Sequence, residues 1–233
     1  MCGGLANFAQ INLKELDRKI RIGAVSYLNT LPLVYGLKKG EISSLMELSF
    51  DYPARVAQAL LEDKVDVGLI PVAMIPKIKD GHIISGYCIA ASGPVASVCI
   101  FAEKPLGELT HIYLDYQSRT SVNLARILLK EYWKHDVAFL PAENNFIDKI
   151  AGTTGAVIIG DRALKQLSVS KFSYDLAEGW IQHTGLPFVF AAWVANKALP
   201  QSFIDAFNKA TGEGLDNLDE IVRGDLYRAA AVV

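Results

Sequence analysis

The chain is poor in cysteine, with only Cys2, Cys88 and Cys99 among 233 residues. Three is an odd number, and their spacing matches no metal-ligand pattern, which excludes a disulfide framework and a cysteine-based zinc site. Cys88 and Cys99 sit inside apolar, strand-like runs and read as small buried core residues. Net charge is also scarce, at −2 near neutral pH, which argues against a nucleic-acid binder with a concentrated basic face. No apolar run approaches the roughly 20 residues that span a bilayer. The four histidines, His82, His111, His135 and His183, are scattered without helical pairing, so no metal constellation is expected. There is no GxSxG elbow, no P-loop and no GxGxxG dinucleotide turn, so nothing in the chain calls for a cofactor. Residues 1–19 read as a lead-in. They lack the basic start and continuous apolar stretch of an export signal, and together with the unpaired cysteines this points to a reducing cytoplasm.

What remains is ordinary globular composition, 51% apolar and 21% charged, arranged as alternating strands and helices. Ile20 to Val25 reads as a buried strand. Ser26, Tyr27, Leu28, Asn29 and Thr30 follow, and an apolar helix then opens with Pro32 near its first turn. Further strands are expected at Leu45–Phe50, Val65–Ile70, His82–Ala91 and Val95–Ala102, with helices from Pro53 and over Val72–Ile78. This order suggests a mostly parallel sheet. Lys104, Pro105 and Gly107 look like a crossing point. Beyond them, strands are expected at His111–Tyr116, Asp136–Leu140, Gly155–Ile159 and Phe188–Val194. Helices are expected at Val122–Trp133, Glu143–Ile150, from Asp161 to Leu167 and at Ser202–Thr211.

The two halves echo each other, since each offers a polar turn between a strand and a helix. The fold class is therefore α/β, with two lobes facing a central ligand cleft and joined by two crossover strands. Lobe one would be 20–103 plus 191–233, and lobe two 104–190.

The polar turns carry the chemistry. Ser118, Arg119, Thr120 and Ser121 lie at a helix start, where orphan N–H groups and the helix dipole favour an anion. Three hydroxyls and a guanidinium there suit a carboxylate or phosphate, although a capped helix with a surface arginine explains the same residues. Asn29, Thr30 and Ser97 are polar groups amid apolar sequence. They either satisfy backbone groups or meet a ligand. Asp161 and Asp115 read first as helix caps. These residues describe a cleft for a small anion and do not choose between catalysis and binding.

GAVSYLNTLPLVYGL, VDVGLIPVAMI, GPVASVCIF, SRTSVNLARILL, IIGDRAL and DLAEGWIQHTGLPFVFAAW occur in an order that resembles the chorismate dehydratase family of the futalosine route to menaquinone. The resemblance runs from about Ile20 to about Lys197 and weakens from Gly212. It implies the type II periplasmic-binding-protein fold and a hydro-lyase that converts chorismate to 3-(1-carboxyvinyloxy)benzoate without a metal or cofactor. It also implies Asn29 and Ser97 as catalytic residues. Ser118, Arg119, Thr120 and Ser121 would hold a substrate carboxylate, with Ser26, Thr30 and Asp161 completing the substrate contacts. The substrate's own enolpyruvyl carboxylate would remove the ring proton. The expected partner is a small dicarboxylate, with no nucleic acid or membrane, for a protein acting as a monomer or homodimer. A non-enzymatic carboxylate binder of this fold, or the sister dihydroxynaphthoate synthase, is the alternative.

Overall fold

The computed structural model describes residues 18–224; Cys2 and the rest of the lead-in before Arg18 lie outside them. Two five-stranded sheets form two lobes. In the first, β1 (Ile20–Val25) runs parallel to β2 (Met46–Asp51) and β3 (Val67–Pro71). β10 (Phe188–Ala195) pairs antiparallel with β3, and β4 (His82–Ala91) pairs antiparallel with β10, in the order β2-β1-β3-β10-β4. The second sheet has the order β7-β6-β8-β5-β9. It is built from β5 (Val98–Ala102), β6 (His111–Leu114), β7 (Ala138–Pro141), β8 (Thr154–Ile159) and β9 (Phe172–Asp175). Both sheets are therefore mixed rather than mostly parallel.

Each lobe buries its sheet under amphipathic helices. α1 (Leu31–Tyr35), the short α2 (Ile42–Leu45) and α3 (Pro53–Leu61) belong to lobe one. In α3, Val56, Ala57 and Leu60 recur at helical spacing and are buried together. α4 (Thr120–Ile127), α5 (Asp161–Gln166) and α6 (Leu176–Thr184) belong to lobe two. α7 (Gln201–Asp216) and α8 (Leu218–Arg223) return to lobe one. There Phe203 and Phe207 of α7 are fully buried, and the Phe207 ring meets Trp193 edge-on at 5.1 Å. Such aromatic burial contributes about 1.5–3 kcal/mol per side chain. α7 crosses α1 very closely, because Gly214 faces the Pro32 carbonyl and Gly36 faces that of Ala210.

The lobe boundary differs from the sequence expectation. β5 hydrogen-bonds to β8 and β9, so the chain leaves lobe one between Ala91 and Val98, before Lys104. A buried apolar strand carries the same pattern whichever sheet it joins, and that choice is tertiary. Cys88 is another correction, because it lies exposed on β4 while Cys99 is buried. Along β4 exposed positions alternate with more covered ones, and Cys88 falls among the exposed. The helix expected over Glu143–Ile150 shrinks to a 3-10 turn at Phe146–Lys149, whereas β9, α2, α6 and α8 were not anticipated.

A buried ionic knot ties lobe one's strand ends together. Asp66 has no exposed side-chain surface, and its carboxylate is gripped in fork geometry by Arg18 and by Arg21, with Lys197 at 3.0 Å. The Arg21 N–H donates to it as well.

Candidate active site

A cavity of about 300 Å³ lies between the lobes. It is bounded by the carboxyl ends of β1, β3 and β8 and by the start of α4. Ligands of open α/β sheets bind at such strand ends because loops there are free to present backbone and side-chain polar groups. Its walls are mostly apolar, with Ile89, Phe190 and Pro71 among them. Its polar groups are Asn29, Ser97, Ser118, Thr120, Ser121 and the Tyr27 phenol. None of the lining residues among those described is acidic or basic.

Five of the sequence-predicted site residues thus converge: Asn29, Ser97, Ser118, Thr120 and Ser121. Neither Asn29 nor Thr30 caps its helix through the side chain. Asn29 is exposed to the cleft. The Ser118 hydroxyl accepts the Ser121 N–H at 3.1 Å, and the Thr120 hydroxyl accepts the Ala73 N–H at 3.3 Å. A hydroxyl that accepts from an N–H keeps its own proton for another acceptor. The start of α4 therefore offers O–H donors to the cavity and adds the favourable end of a helix dipole.

Four others stand outside the lining. Thr30 is completely buried, with no partner for its hydroxyl among the described residues. Ser26 is half-buried on β1's exit, where its N–H bonds the Asp51 carbonyl. Arg119, expected at a substrate carboxylate, is exposed, and its guanidinium folds back onto the Tyr116 and Ser118 carbonyls at 3.3 and 3.1 Å. Asp161 does not act as a side-chain cap, because Gly160 holds the N-cap position of α5. Burial raises the Asp161 carboxyl from its ordinary value, opposed by the Leu28 N–H from the other lobe and by Lys165. Asp115 is likewise no simple cap, since its carboxylate takes the Gln117 and Ile159 N–H groups and the Arg162 guanidinium at 2.6 Å.

Tyr27, Gln117 and Gly160 meet at the cleft and were not singled out by the polar motifs. The Tyr27 hydroxyl donates to Gln117 Oε1 across the cleft, and the Ala54 N–H reaches the Gln117 carbonyl at 3.1 Å. Burial, reinforced by the Asp115 carboxylate, raises the Tyr27 phenol above its ordinary range, so it stays a protonated donor. Gly160 has φ +67° and lies so close to the Tyr27 ring that a Cβ would sit 2.9 Å from three ring atoms. The signal for Gly160 in the sequence was a glycine between a buried strand and a helix, which has many ordinary readings. No group of histidine, cysteine and carboxylate side chains suited to a metal occurs among the described residues. No helix among them is long and apolar enough to cross a membrane.

Comparison with known proteins gives the chain its relatives. A chorismate dehydratase from Thermus thermophilus is 27% identical over 227 residues, covering 89% of this chain and 82% of its own. Another from Campylobacter jejuni is 29% identical over 194 residues, covering 80% and 73%. Among solved structures, one from Archaeoglobus fulgidus aligns with a TM-score of 0.67 at 15% identity, over 88% of this chain and 79% of that one. A Candida albicans protein with the generic periplasmic binding protein fold aligns at 0.58 and 13% identity, over 92% and 76%. At these identities the structures speak for the fold alone, and they agree with the two-lobed type II architecture. The family match runs well past Gly212, where the sequence resemblance had weakened. Matched over residues 20–230, this chain belongs to the menaquinone biosynthesis family.

Proposed function

We propose that this chain is a hydro-lyase that removes water from chorismate to give 3-(1-carboxyvinyloxy)benzoate. The observation that carries the reading is a cavity whose described lining has hydroxyl and amide groups but no acidic or basic side chain, in a family whose curated relatives are named chorismate dehydratase. Chorismate brings its own carboxylates, so a site without a protein base suits a substrate that supplies one. The enolpyruvyl carboxylate takes the proton from the ring carbon bearing the ether. The C–H electron pair becomes the new ring double bond as the neighbouring C–O bond breaks, and the proton now held by the enolpyruvyl carboxyl passes to the departing hydroxyl, which leaves as water. Aromatisation drives the step.

The protein's part is orientation and hydrogen bonding. Holding the reacting groups in a near-attack geometry replaces a large part of the entropic barrier. Asn29 and Ser97 hydrogen-bond the leaving hydroxyl and orient the enolpyruvyl carboxylate. Ser118 and Thr120, at the α4 N-terminus, donate to the ring carboxylate, and the apolar wall packs on the ring. A cytoplasmic site of action belongs to the same reading.

The test is to incubate the purified full chain with chorismate and separate the products by chromatography with mass detection. The expected product is an aromatic species lighter by one water. Asn29→Ala should slow its formation by about 100-fold or more, the usual cost of a lost transition-state donor. Unchanged chorismate, or an Asn29→Ala protein at the parent rate, would overturn the reading. Thermal stabilisation by chorismate without turnover would mark a binder of the same fold.

A further inference from the structure

The crossover that carries Ser97 into the cavity is held in an uncommon shape. Ala96 has φ +59°, a region that disfavours any residue bearing a Cβ and persists only where surrounding contacts impose it. The Ser97 N–H closes a tight turn on the Val95 carbonyl at 2.6 Å, and the Ser97 carbonyl accepts the Gly160 N–H at 2.8 Å. The contact that imposes the turn comes from Asp175, at the end of β9. Its Oδ2 accepts the Val95 and Ala96 N–H groups at 2.7 and 2.6 Å. Its Oδ1 accepts the Ala177 and Glu178 N–H groups at 2.9 and 3.0 Å, capping α6. Beneath the turn, the Cys99 thiol donates to the Ala96 carbonyl at 3.5 Å and lies 3.9 Å from Asp175 Oδ2.

We propose that Asp175 is a positioning residue for the dehydration reaction: one oxygen caps α6 and the other holds the Val95–Ala96 turn that aims Ser97 into the cavity. The proposal rests on the role given to Ser97 above. An ionised carboxylate is the side chain suited to the task, because both of its oxygens only accept and together they serve four N–H donors on two segments. An asparagine would turn an NH₂ group towards one pair of those donors. A serine would still cap α6, since it ranks with aspartate as an N-cap, but it is too short to span to the turn as well. Asp175 is not among the residues lining the cavity, so its effect passes through the turn that carries Val95 and Ser97 to the wall.

The experiment uses the full chain with Asp175→Ser, and Asp175→Asn as an isosteric second variant should the first fold poorly. With chorismate as substrate, kcat should fall at least tenfold while KM changes less than threefold. In a Ser97→Ala background the same substitution should lower kcat less than twofold, because the group it positions is already gone. Amide hydrogen exchange supplies a readout independent of turnover. Val95 and Ala96 should exchange at least tenfold faster in Asp175→Ser, with Ala177 and Glu178 unchanged. An equal loss in both backgrounds, or unchanged exchange at Val95 and Ala96, would overturn the proposal. If the parent chain leaves chorismate untouched, the functional reading fails, and the exchange rates alone then decide whether Asp175 holds the turn.

Discussion

Replacing Gly160 with alanine separates the cost of backbone strain from the cost of closing the cleft. At φ +67° and ψ −151°, Gly160 occupies a region that is essentially glycine-only, where another residue costs about 1–3 kcal/mol. That strain is local to lobe two and is present whether the lobes are together or apart. For a chain of this size it corresponds to about 2–12 °C of melting temperature. The new Cβ would also lie 2.9 Å from the Tyr27 Cε1, Cε2 and Cζ atoms, and that clash arises only when the lobes meet. Ordinary contact requires about another 0.5 Å, enough to pull the phenol from Gln117, and a typical hydrogen bond contributes about 0.5–1.5 kcal/mol. The corresponding rise in KM is about 2- to 12-fold. The assays are thermal melting and steady-state turnover of chorismate, with Gly107→Ala as the control because no atom crowds that position. Tyr27→Phe, which removes the hydroxyl and keeps the ring, should raise KM similarly with little change in melting. A Gly160→Ala protein with parental melting temperature and parental KM would refute both halves of the reasoning.

Two further perturbations test the frame of lobe one. Gly214→Ala would place a Cβ 1.7 Å from the Pro32 carbonyl oxygen, forcing α7 away from α1, and should destabilise the protein by about 3 kcal/mol or more in a denaturant titration. Parental stability would show that the helices separate at little cost. Asp66 governs the acid limb of the stability profile. Burial alone would raise its carboxyl, but Arg18, Arg21 and Lys197 outweigh burial and hold it well below the usual carboxylate range. A depressed carboxyl contributes stability that is full above its unfolded value near about pH 3.9 and is lost as pH falls below it. Asp66→Asn should therefore lower stability at neutral pH and flatten its decline below about pH 4. The loss should stay under the roughly 3–5 kcal/mol of a fully buried pair, because the cations left behind are partly exposed. Equal acid sensitivity in parent and variant, measured by melting between pH 2 and 7, would assign the acid limb to other groups.

Much of the cavity's polar lining was legible because its signals are local. A buried strand followed at once by short polar residues and a helix marks a strand's carboxyl end, and Asn29, Ser118, Thr120 and Ser121 were found that way. Arg119 shows the limit of such reasoning. Its position in the motif was correct, but its side chain turns to its own backbone carbonyls, and rotamer choice depends on neighbours that the pattern does not encode. Asp175 was missed as a functional position although it opens a quoted motif, because its four donors come from segments about 80 residues apart in the chain and from α6.

By itself the sequence determined the α/β class, the positions of most strands and helices and the family, since each follows from periodicity, turn chemistry or several motifs in a fixed order. Tertiary structure alone decided that β5 joins the second sheet, that Cys88 is exposed, and that Tyr27, Gln117 and Gly160 meet across the cleft. Those outcomes depend on which surfaces pack together. A segment's own pattern fixes which of its faces is apolar but leaves open what will cover that face.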